Sequence, residues 1–192
     1  MPDQNNYILT LVAYAPATGA ITHQFQADDT DSNEANAIAN GCTHWIFATG
    51  DVDPGELLVR NGELVDKSPA DAAELLASER AAMTVPRAAF RLALANLPGP
   101  EGYEDALDYA DAIGSDPMTP RVIRILWADA ATFNRLNADI VAWFPILAHA
   151  VVPRLTQPNA LADEIFRLAM ALDANDATAI AAVQVRLQGL LA

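Results

Sequence analysis

Residues 84–94 read Thr-Val-Pro-Arg-Ala-Ala-Phe-Arg-Leu-Ala-Leu and open the stretch that decides the fold of this chain. Two similar segments follow, Arg-Ile-Leu-Trp-Ala-Asp-Ala-Ala-Thr-Phe-Asn-Arg at 124–135 and Leu-Ala-Asp-Glu-Ile-Phe-Arg-Leu-Ala at 161–169. In each, apolar residues recur three or four positions apart behind a residue that favours a helix N-cap. This spacing predicts a string of short, capped, alanine-rich helices from Thr84 to Leu172.

Cap residues predict where these helices begin. Thr84 is expected to cap a helix that carries Phe90, because a threonine hydroxyl can accept a hydrogen bond from a free N–H of the first turn. Thr119 and Pro120 are expected to open a helix that continues to Phe133, since proline fits the first helical position.

Further caps are predicted at Asn137, Thr156 and Asp176. The helix that begins after Asn137 meets Pro145, which lacks a backbone N–H and is expected to end or kink it. The helix that begins after Asp176 is expected to be the last of the chain.

Residues 1–67 are predicted to form a small β-rich module. The run at 7–14 is β-branched and aromatic on both faces, which is typical of a central strand. Asn61-Gly62 is the strongest hairpin signal, because a type I′ turn needs positive φ at both central residues. The predicted elements are a hairpin across the Pro-Ala-Thr-Gly turn at 16–19, a helix ending at Asn40, a strand at 42–49 and a hairpin at 57–66, in the order ββαβββ.

The pattern changes from strands to helices at Ser68 and Pro69. Ser68 is expected to be the N-cap and Pro69 the first residue of a connector helix over residues 68–83. Residues 84–192 are predicted to form an all-α helical domain, so the predicted fold class is α+β. No strand longer than four residues is expected after Pro69.

The composition excludes several kinds of partner. The 192-residue chain has 25 acidic and 11 basic residues, and its net charge of −14 repels phosphate backbones and anionic bilayers. No apolar run reaches about 18 residues, so no membrane-spanning helix is expected. The N-terminal sequence lacks the basic start and cleavage site of a signal peptide, which favours a soluble protein made in the cytosol. We therefore expect protein partners, not nucleic acid or membrane.

Three groups of side chains have the chemistry of metal ligands without the usual pattern. His23, Cys42 and His44 could hold zinc, but a convincing fourth ligand is missing, and a single cysteine is more often a packed residue. Calcium could be held by Asp28, Asp29 and Asp31, or by Asp51, Asp53 and Glu56. Neither set has the twelve-residue loop that ends in a bidentate glutamate, so solvated turn acids are favoured and no metal is predicted.

The sequence contains no evident catalytic constellation. An acidic helical face is formed by Glu101, Glu104, Asp105, Asp108 and Asp111. It would support acid–base chemistry only if a pocket raised the pKa of one carboxyl, and a solvated face is the simpler interpretation. The chain has no Gly-x-Ser-x-Gly nucleophile and no glycine-rich phosphate loop. No catalytic residue and no cofactor are therefore predicted.

The N-terminal half resembles the small β module of many predicted tail proteins of tailed bacteriophages. The matching segments are Tyr-Ala-Pro-Ala-Thr-Gly-Ala-Ile at 14–21, Gly-Asp-Val-Asp-Pro at 50–54 and Val-Arg-Asn-Gly-Glu-Leu-Val-Asp-Lys-Ser-Pro at 59–69. The helical half is similar to tail proteins at 84–92, 127–135 and 155–169. The chain departs from the pattern at Trp143-Phe-Pro145 and in its final helix.

This resemblance implies a tail-fibre, tail-tip or baseplate adaptor of the virion that acts through protein–protein contacts and has no enzymatic activity. The protein would be made in the host cytoplasm and located in the virion tail. Its partners would be other phage tail proteins, and a homo-oligomer such as a trimer stays open. The alternatives are a tail-fibre assembly chaperone that leaves the particle and a small hydrolase with an acidic site.

Two groups of apolar residues are candidate interfaces. Trp143 and Phe144, beside Pro145, are expected either in the core or in an exposed patch that binds a partner. The last helix carries Ile180, Val183, Leu187 and Leu190 in a short a/d seam. The seam either packs back on Phe166 and Met170 or docks to a neighbouring tail subunit.

Overall fold

The helices and strands are those of a computed structural model, which describes residues 9–26, 30–49, 52–151 and 158–191, with the backbone alone at 145–151. In chain order they are β1 (Leu9–Tyr14), β2 (Ile21–Gln26), α1 (Thr30–Ala39), β3 (Trp45–Thr49), β4 (Leu57–Arg60), β5 (Glu63–Asp66), α2 (Pro69–Ala82), β6 (Thr84–Pro86), α3 (Arg87–Ala95), α4 (Ala106–Ser115), α5 (Arg121–Asp129), β7 (Thr132–Asn134), α6 (Ala138–Val151), α7 (Pro158–Asp173) and α8 (Ala177–Leu191).

The fold is mixed α+β, an N-terminal three-stranded antiparallel sheet followed by helices, which confirms the predicted fold class. The chain divides into two compact units, Met1–Ala77 and Ser78–Ala192, and the division falls within α2. None of the helices in the described ranges combines the length and the apolarity that crossing a bilayer requires. The predictions that concern Tyr7, Asp28, Asp29, Asp51 and Thr156 lie outside the described residues.

The first unit is built around β1, the central strand of a sheet in the order β2-β1-β3. Leu11 and Ala13 on one face of β1 are buried with Ala37 of α1. Val12 on the other face is buried with Val59 of the β4–β5 hairpin. The module therefore has a helix, a sheet and a hairpin in three layers, with its elements in the predicted order ββαβββ.

Two turns of this unit need positive φ. Asn61 and Gly62, between β4 and β5, have φ angles of 55° and 82°, which agrees with the predicted turn. Gly19 has a φ of 73°, and its carbonyl accepts a hydrogen bond from the Val59 N–H at 2.9 Å. A Cβ atom on residue 19 would collide with the carbonyl oxygen of Val59, so both φ and space require glycine there.

Helix α2 begins with the predicted cap. The Ser68 hydroxyl accepts a hydrogen bond from the Asp71 N–H at 3.2 Å, and the Asp71 carboxylate accepts one from the Ser68 N–H at 2.9 Å. Arg60 also donates to Asp71, at 2.6 Å. These hydrogen bonds, first those from Ser68, lower the pKa of Asp71 to about 2.

The second unit is organised around α7. Every residue from Leu161 to Phe166 is buried, and α3, α6 and α8 pack around this helix. The ring of Phe166 lies 5.2 Å from that of Phe90 on α3 and 5.9 Å from that of Phe144 on α6, measured between centroids. Because α7 is buried on all sides over this length, it forms the centre of the core.

The helical part also contains a two-stranded ribbon that the sequence does not predict. β6 and β7 pair antiparallel, with Val85 opposite Phe133, and both side chains join the core. The expected Thr84 cap is wrong, because Thr84 lies in β6 and Pro86 holds an extended conformation before α3. The expected helix through Phe133 is also wrong, since α5 ends at Asp129. Each strand has three residues, within the predicted limit of four.

Helix α6 passes through Pro145. Asn137 caps it as predicted and accepts a hydrogen bond from the Asp139 N–H at 2.9 Å. The backbone then stays helical to Val151, so of the two predicted effects of Pro145, an end or a kink of the helix, the end is wrong. The turn before the proline is held by core packing, which outweighs the loss of one backbone hydrogen bond.

Trp143 and Phe144 lie in that core and are 3% and 1% exposed. The expected exposed patch at these two residues is therefore wrong. The Trp143 ring packs on Trp127 at 5.3 Å, and the Phe144 ring packs on Phe90 at 5.9 Å. Burying aromatic rings of this size stabilises the fold by about 1.5–3 kcal/mol each, so they face inward.

The final helix packs on its own chain. Asp176 caps α8 as predicted, accepting a hydrogen bond from the Ala179 N–H at 3.0 Å. The seam consists of Val183 and Leu187, each 4% exposed, and of the half-buried Ile180 and Leu190. Val183 and Leu187 join the core cluster that contains Phe166. The structure therefore supports the intrachain alternative for this seam, although Met170 stays 41% exposed.

We expect Gly19→Ala to lower the free energy of unfolding of the first unit by about 2–4 kcal/mol, because the new Cβ atom adds a backbone collision to an unfavourable φ. The matched control is Gly41→Ala, which has the same φ of 73° and nothing within 4 Å of its Cβ atom. The control should cost only about 1 kcal/mol. Equal losses in urea unfolding of the two variants would contradict the close contact of Gly19 with β4.

Candidate functional site

The residues with metal-ligand chemistry are only partly brought together. The Sγ atom of Cys42 lies 3.6 Å from Nδ1 of His23, whereas His44 bonds to the adjacent threonine hydroxyl at 2.9 Å. Over the described ranges, no three His, Cys, Asp or Glu side chains are grouped closely enough to hold a metal ion. Asp53 accepts a hydrogen bond from the Gly55 N–H at 2.7 Å, which is the geometry of a turn acid.

A polar depression in the first unit is lined by the turns at 16–19 and 58–61 and by the start of α2. Arg60 is the one arginine among its described lining residues, and it is paired with Asp71 at 2.6 Å. The depression therefore offers no free guanidinium to hold an anion.

Two carboxylates of the predicted acidic face on α4 stabilise the fold. Asp105 caps α4 by accepting a hydrogen bond from the Asp108 N–H at 2.9 Å. Asp111 accepts two hydrogen bonds from Arg91, of 2.6 and 2.8 Å. The other acids of this face are exposed. These carboxylates are thus structural or solvated, and they do not form an acid–base pair.

The most buried carboxylate of the second unit is that of Asp163 on α7, a residue that is 3% exposed. Arg80 donates three hydrogen bonds of 2.6 to 3.1 Å to it, and Arg135 donates a fourth at 2.7 Å. The Asp163 carboxylate also raises the pKa of the Arg80 guanidinium. With four donors in place, this carboxylate has no spare capacity to move a proton, and its role is structural.

Glu164, the next residue, is held in the same way. Its carboxylate is bonded by Arg167 of the same helix and by Arg186 of α8, the latter at 2.9 Å. Arg167 also donates two hydrogen bonds of 2.6 Å to Glu79, which together with Glu164 raise the pKa of its guanidinium. Both buried carboxylates of α7 are therefore neutralised by arginines.

Trp127 anchors α5 to the rest of the second unit. Its indole Nε1 donates a hydrogen bond to Asp111 Oδ1 at 2.8 Å, and the Arg91 guanidinium lies 5.2 Å from the ring centroid. The ring also lies so close to Gly114 that a Cβ atom there would overlap it. Hydrogen bonds from Arg91, followed by the one from Trp127, lower the pKa of the Asp111 carboxyl.

The outer side of α5 is apolar and uncovered. Val122 and Ile125 are 48% and 46% exposed, and Met118, in the loop that leads into α5, is 88% exposed. Helical spacing places Val122 and Ile125 on one side together with Arg121, and we call these three residues the α5 face. Trp127 is the one residue of α5 that is fully buried, so most of this amphipathic helix borders solvent.

A narrow crevice runs beside the α5 face, between α5 and α6. Its lining residues are Ile123, Leu126, Trp127, Phe133, Asp139, Ile140 and Trp143. The indole N–H of Trp143 is buried and has no hydrogen-bond partner among the described residues. The crevice has room for no more than about one water molecule, which is the group that could accept this hydrogen bond.

This arrangement is suited to contact with another protein, because the α5 face supplies exposed apolar area beside Arg121. Of the predicted interface residues, only Trp143 lies at this site, where it is a buried wall of the crevice. The sequence does not predict the α5 face, because helical spacing alone does not show whether the apolar side of a helix is covered.

Comparison of this chain with protein-family models, with curated proteins and with solved structures finds no match.

We expect Asp163→Asn to lower the free energy of unfolding of the second unit by about 3–5 kcal/mol, because it leaves the buried Arg135 without its carboxylate. The matched control is Glu79→Gln, which removes a half-exposed acid from the same network and should cost about 1 kcal/mol or less. The measurement is urea unfolding at neutral pH, and a smaller loss for Asp163→Asn than for the control would contradict the structural role.

Asp111 makes the second unit sensitive to acid. Because its pKa is lower in the fold than the ordinary value of 3.8, its stabilising contribution is complete above pH 3.8 and is lost as the pH falls through the folded pKa. Asp111→Asn should remove this part of the acid dependence of the melting temperature. Asp108→Asn, an exposed acid on the same helix, should leave it unchanged, and equal effects of the two variants would contradict the Asp111 pairing.

Proposed function

We propose that this chain is a non-enzymatic structural protein of a bacteriophage tail, a fibre or tail-tip adaptor that binds another tail protein through the α5 face. The tail assignment rests on the resemblance of the segments at 14–21, 50–54 and 59–69 and of the helical half to phage tail proteins. The adaptor role rests on the exposed apolar side of α5.

The exposed α5 face is the observation that carries this proposal. Large apolar side chains that share one side of a helix and stay outside the core are typical of protein interfaces. The polar groups of the second unit are used differently, since the buried acids Asp163 and Glu164 are each bonded by two arginines. The favoured activity is therefore binding, and no observation favours the acidic-site hydrolase.

The test is mass spectrometry of density-purified particles of the phage that encodes the chain, with the Ile125→Asp variant compared with wild type. We expect the wild-type chain in the particles and a strong loss of Ile125→Asp, because an acidic group in a desolvated apolar contact costs several kcal/mol. The variant should keep the wild-type melting temperature, since residue 125 is exposed in the free protein.

The matched control is Val185→Asp, which makes the same change of polarity and charge at a 68% exposed position of α8. It should be incorporated like wild type. A chain that is required for infectious particles but absent from them would contradict the structural role and identify an assembly chaperone. Normal incorporation of Ile125→Asp would contradict the role of the α5 face.

A further inference from the structure

The unpaired positive charges of the second unit gather at α5. In the described ranges, four basic side chains have no carboxylate partner: Lys67, Arg87, Arg121 and Arg124. Arg121 and Arg124 lie in the first turn and a half of α5, and Arg87 donates a hydrogen bond to the Ala128 carbonyl at its other end. In a chain of net charge −14, this helix is an exception.

The positive charge of α5 is concentrated at one end of the helix. The N-terminal end carries Arg121 and Arg124, and its N-cap residue, Pro120, provides no side-chain hydrogen bond to the free N–H groups. Both features favour a negative group beside the first turn. Asp129 lies at its C-terminal end and Asp139 at the crevice, whereas the Asp116 carboxylate, in the loop before α5, accepts a hydrogen bond from the Met118 N–H at 2.8 Å. A partner is therefore attracted to the first turn of α5 by its carboxylates.

The apolar groups lie beside this positive end. Val122 and Ile125 are half exposed, and Val122 is one turn away from Leu126, which lines the crevice. The crevice itself has room for no more than about one water molecule. A bound segment thus meets cations first and then an apolar ridge.

We propose that the α5 face, with Arg124 beside it, binds a short, acidic, amphipathic helix of another protein. Carboxylates of this helix pair with Arg121 and Arg124, and its apolar side covers Val122 and Ile125. The proposal rests on the proposed adaptor function and names the chemistry of the partner at that site.

Other occupants fit the charges less well. A two-fold contact between two copies of the α5 face would place Arg121 and Arg124 against their own equivalents, and like charges repel. An anionic bilayer would attract these arginines, but the net charge of −14 opposes the approach of the chain. A helix fits the site better than an extended segment, because an amphipathic helix presents apolar and acidic side chains on one side over the length of α5.

The test uses a designed peptide of about 14 residues, enough for a helix that spans the nine residues of α5. The peptide carries leucines at helical spacing on one side and glutamates beside them, and a matched peptide replaces each glutamate with lysine. Titration of the full-length protein should show the glutamate peptide binding about tenfold or more tightly, with a preference that weakens as salt is added.

Two variants and a matched control test which residues are responsible for this binding. The double variant Arg121→Glu, Arg124→Glu should reverse the preference between the two peptides, and Ile125→Asp should abolish binding of both. The matched control Lys67→Glu changes an unpaired cation of the first unit and should leave the preference unchanged.

Several results would overturn the proposal. These are equal binding of the two peptides and a preference that persists in the double arginine variant. Self-association that rises with protein concentration and is lost in Ile125→Asp would show instead that a second copy covers the face. Binding to phosphatidylglycerol vesicles that is lost in the double arginine variant would show a membrane contact.

The particle assay separates this proposal from the proposed function. If the chain is absent from particles but prefers the glutamate peptide, the structural role fails and the partner chemistry holds. If the double arginine variant enters particles like wild type while Ile125→Asp does not, the adaptor role holds and the acidic partner is excluded.

Discussion

The second unit depends on the buried carboxylate of Asp163. This group lies on the central helix α7 and is held by Arg80 near the end of α2 and by Arg135 just after β7. A buried carboxylate without partners would be strongly destabilising, so the chain can place an acid here only if both arginines arrive with it. The same contacts bring the segments that flank the β6–β7 ribbon to α7. The ion pairs of Asp163 with Arg80 and Arg135 therefore neutralise the buried carboxylate and also fix the position of the β6–β7 ribbon.

The position of α7 explains why α5 is exposed. Because α7 fills the centre, the surrounding helices each cover only one of its sides, and α5 reaches the core through Trp127. Asp111 and Gly114 of α4 fix that ring by a hydrogen bond and by close contact. The partly buried Ile123 also packs against the core, whereas Val122 and Ile125 stay outside. A folded helix with an uncovered apolar side is suited to docking, because its backbone does not have to become ordered on binding.

The charged groups of this chain are of two kinds, those that stabilise the fold and those that remain available to a partner. The acids that are buried or capped, such as Asp163, Glu164 and Asp105, are bonded to arginines or to backbone N–H groups and stabilise the fold. The guanidinium groups at α5 have no carboxylate partner in the described ranges, although Arg87 and Arg124 donate hydrogen bonds to the carbonyls of Ala128 and Thr119. Cations that folding leaves without a counter-charge beside an apolar surface are suited to recognition of a partner, since binding can then form the ion pairs.

The sequence by itself determined the α+β class, the order of the N-terminal elements, the Asn61-Gly62 turn and the caps at Ser68, Asn137 and Asp176. Each of these depends on hydrogen bonds or backbone preferences that act over a few residues. Only the tertiary structure decided that Thr84 belongs to a strand, that Trp143 and Phe144 face the core, and that Val122 and Ile125 do not. The pairing of Val85 with Phe133 joins residues far apart in the chain, which helical spacing cannot indicate. An amphipathic pattern likewise shows that a helix has an apolar side, but the number of neighbouring helices decides whether that side is covered.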